Sequence, residues 1–83
     1  MAHAVGDSET SHMDEDDVVL RFGKNVRRVR RAMEMSQEKL AELANLHRTY
    51  VSELERGVGR NPTIRAAHRI AFALDVPIAD LFV

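Results

Sequence analysis

Phe22, Val26, Val29 and Met33 stand at the i, i+4, i+7, i+11 spacing of one helix face. This predicts a first helix from Val18 to about Met33, with Arg21, Lys24, Arg27, Arg28 and Arg31 on the remaining faces. Asp14 to Asp17 lie at its amino-terminal end, where negative charge complements the helix dipole. Ser36 then offers a side-chain oxygen to cap a short second helix, Gln37 to Ala44, with Leu40, Ala41, Leu43 and Ala44 wholly or partly inward. Asn45-Leu46-His47 breaks the pattern, and asparagine is the non-glycine residue best suited to a left-handed turn. Helical spacing resumes over Arg48 to Arg56, with Val51 and Leu54 on one side, His47 placed to cap this third helix and Gly57 to close it. Residues 57–62 form a loop, and Thr63 caps a fourth helix whose buried face is Ala67, Ile70, Ala71 and Leu74. Pro77 separates that helix from a last turn, Ile78 to Phe82. The pattern predicts an all-α chain of five helices without internal repeat; β-branched residues occur singly, so a sheet has little support.

Composition changes this picture in one respect. The chain carries a net charge of -1, but residues 1–17 hold six acids and no Lys or Arg, a net of -6. Residues 18–83 hold all 12 Lys and Arg against seven acids, a net of +5. An acidic leader, read as disordered over residues 1–13, thus precedes a basic domain of residues 18–83, the balance expected of a polyanion-binding module. Ser11-His12-Met13 also resembles a vector-derived scar, so function is not sought there. A length of 83 residues suits one domain with a modest core. The lack of cysteine removes disulfides, thiolate metal sites and cysteine nucleophiles. No stretch is long and apolar enough to span a membrane and no secretory signal stands at the amino terminus, so a soluble, cytoplasmic protein is expected.

Two short helices joined by a tight turn, the second apolar on one side and polar on the other, form the geometry that sets one helix across DNA and the next into the major groove. The polar side fits that groove chemically. Arg48 has the forked donors for guanine O6 and N7, Thr49 and Ser52 can donate, accept and touch thymine methyls, and Glu53 can accept from cytosine N4. Gln37, at the start of the second helix, is expected on a phosphate, with Tyr50, Arg56, Arg60 and Asn61 clamping the flanking backbone.

Ser36-Gln37-Glu38-Lys39-Leu40-Ala41-Glu42-Leu43-Ala44 followed by Val51-Ser52-Glu53-Leu54-Glu55-Arg56-Gly57 resembles the helix-turn-helix of the Xre/Cro-type, phage-repressor-like family. The likeness continues through Asn61-Pro62-Thr63-Ile64, Ile70 to Pro77 and Asp80-Leu81-Phe82, so it covers about residues 18–83. Within the family, Leu46 to Ser52 most resembles the controller proteins of restriction–modification systems. The resemblance implies a five-helix DNA-binding domain, Ala41 at a tight helix–helix contact, Gln37 on phosphate, and Arg48, Thr49, Ser52 and Glu53 facing bases. It departs from the family at Asn45, where glycine is usual, and in a loop before Asn61 that runs one residue long.

Other readings are weaker. Arg27-Arg28-Val29-Arg30-Arg31 reads as the solvated face of an amphipathic helix rather than a localisation signal. His3, His12, His47 and His68 lack metal-ligand spacing, and no metal or cofactor is expected. No nucleophile–base pair or phosphate loop suggests an enzyme. Two function classes remain: a transcriptional regulator that binds double-stranded DNA, and an antitoxin-like module that also holds a partner protein. RNA polymerase or another protein stays open as a further partner. Ile78, Leu81, Phe82 and Val83 gather four apolar residues in the last segment, which predicts a homodimer paired through them on a roughly palindromic site.

Overall fold

Helix α1 spans His3–Ala32, α2 Gln37–Ala44, α3 Arg48–Arg56 and α4 Ile64–Leu74, and a 3-10 helix follows at Ile78–Phe82. The structure, a computed structural model, describes residues 3–59 and 61–83, with side chains described from Val18 onward. Among the described residues there is no strand, and no helix is long and apolar enough to cross a membrane. Two expectations change. The described residues form four α-helices rather than five, because Pro77 leaves only a short segment that closes with the i to i+3 bond from Asp80 N–H to the Pro77 carbonyl. The backbone of α1 also begins well upstream of Val18, so the expected boundary falls inside a helix; the side chains of the acidic leader lie outside the described residues.

Local signals end the helices much as the pattern predicted. The Ser36 side chain accepts from Lys39 N–H and the Thr63 side chain from Ala66 N–H, each satisfying a backbone donor that the first helical turn leaves open. Asn45 takes the left-handed conformation at φ 57°, with its N–H turned back on the carbonyls of Ala41 and Glu42. Gly57 does the same after α3 at φ 72°. His47 sits at the amino-terminal cap of α3 but makes no side-chain cap bond, contrary to expectation.

The core joins Phe22 and Val26 of α1, Leu40, Ala41 and Ala44 of α2, Val51 and Leu54 of α3, and Ala67, Ile70, Ala71 and Leu74 of α4, with Leu81 beneath them. Leu43 and Met33, both placed on inward faces by spacing, are instead 48% and 46% exposed. Leu43 lies at the edge of the apolar stripe of a helix only 8 residues long, and Met33 falls beyond the end of α1. The Asn25 amide, itself buried, donates to the carbonyls of Leu81 and Val83, both at 3.0 Å, and the Phe82 ring stacks on Phe22 with centroids 5.0 Å apart. These contacts fasten the 3-10 helix to α1.

One glycine allows α1 and α3 to meet. A Cβ on Gly23 would collide with the backbone carbonyl of Leu54, and a carbonyl inside a helix cannot swing aside. Gly23→Ala is therefore expected to destabilise the protein by roughly 1–3 kcal/mol, the overpacking cost exceeding the helix propensity that alanine adds. Thermal unfolding followed by circular dichroism checks this. A fall in Tm of roughly 5–20 °C is expected, and an unchanged or raised Tm would show that the helices are not this close.

Candidate nucleic-acid interface

Residues 48, 49, 52 and 56 recur along α3 at i, i+1, i+4 and i+8, one side of a helix, while Val51, Leu54 and Glu55 occupy the buried side. Arg48, Thr49 and Arg56 are exposed and Ser52 is half-buried, so four groups that can bond bases or phosphates share an open ridge. The ridge is held from below. The α2–α3 turn is closed by Leu46 N–H on the Ala41 carbonyl at 2.8 Å, and both helices pack on Leu40, Ala41, Ala44, Val51 and Leu54.

Glu53 and Tyr50 sit on the flank of the ridge rather than on its crest. Both are half-buried and, with Leu54, Val58 and Gly59, line a cavity of about 360 Å³ beneath the loop that follows α3. A Cβ on Gly59, whose φ is +86°, would lie 2.9 Å from Glu53 Oε1, so the Glu53 side chain is turned against that loop. Its expected reach toward a cytosine is not what this arrangement presents. The Tyr50 hydroxyl is buried with no hydrogen-bond partner among the described residues, so it too does not project as a phosphate clamp. Asn61 is exposed at the loop's end, whereas Arg60 lies outside the described residues.

Gln37, at the first position of α2, is half-buried, and its Nε2 donates to Glu55 Oε1 at 3.0 Å. Glu55 is at the same time the acceptor for Arg30, which donates Nε to Oε2 at 2.7 Å and Nη2 to Oε1 at 2.9 Å. The third guanidinium nitrogen, Nη1, donates to the Met35 carbonyl at 2.6 Å. Arg30 is thus a buried, bidentate ion-pair partner and not part of the solvated basic face that the run Arg27 to Arg31 suggested. The missed signal is Glu55, a carboxylate on the apolar side of α3, which demands a buried cation nearby.

The surface expected to pair two copies divides. Ile78, Phe82 and Val83 are exposed, at 38%, 41% and 72%, but Leu81 is fully buried in the protomer's own core and is withdrawn from the interface. Helical geometry separates it from its neighbours: in a five-residue 3-10 segment held by Asn25, one residue faces inward and the others face out. Val18 and Ile64, 41% and 87% exposed, adjoin Phe82 around a shallow apolar cavity and enlarge the patch.

A tightly turned helix pair whose second helix carries an exposed polar ridge, set on an all-helical core, is the architecture of a helix-turn-helix DNA-binding transcriptional regulator. The helix-turn-helix family model matches residues 26–81, and the chain belongs to that family. It is 45% identical over 67 residues to control protein C.BamHI of Bacillus amyloliquefaciens, spanning 80% of this chain and 82% of that one. With control protein C.SmaI of Serratia marcescens it shares 36% identity over 75 residues, 90% of this chain and 84% of that one. Among solved structures, the restriction–modification controller protein C.AhdI from Aeromonas hydrophila superposes with a TM-score of 0.73 at 41% identity, over 77% of this chain and 96% of the other.

Proposed function

We propose that this regulator serves a restriction–modification system, binding a roughly palindromic operator as a homodimer with each α3 in a major groove. The observation that carries the reading is the α3 ridge: Arg48, Thr49, Ser52 and Arg56 project together from a helix whose opposite side is buried. Residues 18–83 form the DNA-binding unit, and its net charge of +5 supplies the nonspecific attraction to phosphate. In this reading Arg48, Thr49 and Ser52 read bases, while Gln37, Arg56 and Asn61 contact phosphates. Tyr50 and Glu53 support the loop beside them. The two α3 helices of a dimer lie about 34 Å apart, one turn of duplex. Relatives that are control proteins favour this reading over an antitoxin-like one.

Selection of bound duplexes from a random pool gives the preferred site. On that site Arg48→Ala is expected to cost roughly 1–3 kcal/mol and to relax discrimination at one base position per half-site. Gln37→Ala is expected to weaken all duplexes alike, because a phosphate contact carries no sequence information. If Arg48→Ala left affinity and base preference intact in competition binding, α3 would not be the reading helix.

A further inference from the structure

The side chain proposed to hold a phosphate is not free to choose which end it presents. A glutamine amide has a donor end and an acceptor end of nearly equal shape, and a phosphate oxygen can use only the donor. In this structure Gln37 Nε2 lies 3.0 Å from Glu55 Oε1. Rotating the amide by half a turn would set its carbonyl oxygen against a carboxylate, so the arrangement holds one orientation. One N–H goes to Glu55, and the second N–H of the same nitrogen remains to donate.

A buried carboxylate beside a phosphate site would by itself repel the ligand. Arg30 answers that charge with two donated hydrogen bonds to Glu55, and its remaining nitrogen ties down the Met35 carbonyl in the turn that leads into α2. The pair is buried, with side chains 11% and 2% exposed, so it is rigid and close to neutral from outside. Because Glu55 belongs to α3 and Gln37 to α2, the network also ties the phosphate donor to the base-reading helix.

We propose that Glu55, neutralised by Arg30, is a positioning residue for DNA phosphate recognition: it orients the Gln37 amide as a donor and fixes it relative to α3. The inference rests on the reading of Gln37 as a phosphate contact. Glu55 touches no DNA in this scheme and acts through Gln37.

The test is a double-mutant cycle on the full chain with the selected duplex, in which Arg30→Met with Glu55→Leu removes the network while filling its space with apolar side chains. Gln37→Ala alone is expected to weaken binding about tenfold, the scale of one hydrogen bond to a charged group. Arg30→Met/Glu55→Leu, with Gln37 intact, is expected to weaken binding by a similar factor. In the Gln37→Ala background the same pair is expected to change affinity less than about twofold, within the error of independent sites. If the pair weakened binding equally with and without Gln37, or not at all while Gln37→Ala weakened it, the positioning role would be overturned. If Gln37→Ala had no effect, the phosphate reading itself would fail, and the inference with it.

A second measurement needs no variant. In the unmodified protein, one Gln37 side-chain amide proton is expected to be shifted downfield and protected from exchange by Glu55 in proton–nitrogen correlation spectra, and to remain so on adding the duplex. Loss of that signature on binding would mean that Gln37 leaves Glu55 to reach DNA, which also overturns the proposal.

Discussion

Arg30→Ala is expected to lower the unfolding free energy by about 3–5 kcal/mol, a large part of the roughly 5–15 kcal/mol that holds a small domain together. The loss does not come from a strong ion pair as such. Two buried charges recover little more than the cost of taking them out of water, so an apolar pair of similar volume is often equally stable. What the single change does is leave a Glu55 side chain, only 2% exposed, with no cation and the Gln37 amide as its one remaining partner in the network. It also removes the donor from the Met35 carbonyl, in the turn between α1 and α2. Urea denaturation followed by circular dichroism checks the value. The double replacement Arg30→Met with Glu55→Leu is expected to fall within about 1.5 kcal/mol of the unmodified protein. A loss of under about 1 kcal/mol for Arg30→Ala would show that water reaches Glu55.

The second large effect concerns pairing of two copies. Ile64→Asp with Val83→Asp is expected to yield folded monomers whose affinity for the selected duplex is lower by about 10³-fold or more, the usual distance between specific and nonspecific binding. Both positions are chosen because they are 87% and 72% exposed, so the protomer's own packing loses little. Phe82 is less suitable, since its ring also stacks on Phe22. Charge in an apolar interface is costly because the carboxylates lose water without gaining a partner. In the proposed complex a monomer would offer one α3 to a site with two half-sites. Sedimentation gives the assembly state without DNA, and competition binding gives the affinity. A double variant that stays dimeric and binds normally would place the pairing surface elsewhere. An unmodified protein that is monomeric both free and on its duplex would remove the dimer altogether.

The polar side of α3 was legible before folding. Arg48, Thr49 and Ser52 share one side of a helix as soon as Val51 and Leu54 define the other, because the period of 3.6 residues couples the two faces. Glu53 and Tyr50 lie half-buried on the flank of that side for a reason outside the period. Their place on the edge of the ridge depends on where the loop after α3 returns, and only the three-dimensional path of residues 57–59 turns Glu53 against Gly59.

Local chemistry written in the chain decided the starts and stops: Ser36 and Thr63 as caps, Asn45 and Gly57 as left-handed ends, Pro77 as a break. Each acts within a few residues of itself, so neighbours in sequence suffice. The same holds for the apolar face of α4, where Ala67, Ile70, Ala71 and Leu74 are all buried as their spacing requires. Contacts between distant segments could not be read that way. Arg30 meets Glu55 across 25 positions and Asn25 meets Leu81 across 56. A basic run looks solvated until a particular carboxylate is brought beneath it, and an apolar terminal segment looks uniformly sticky until the core claims Leu81 and leaves Ile78, Phe82 and Val83 outside. Periodicity assigns a residue to a face; only packing decides what that face meets.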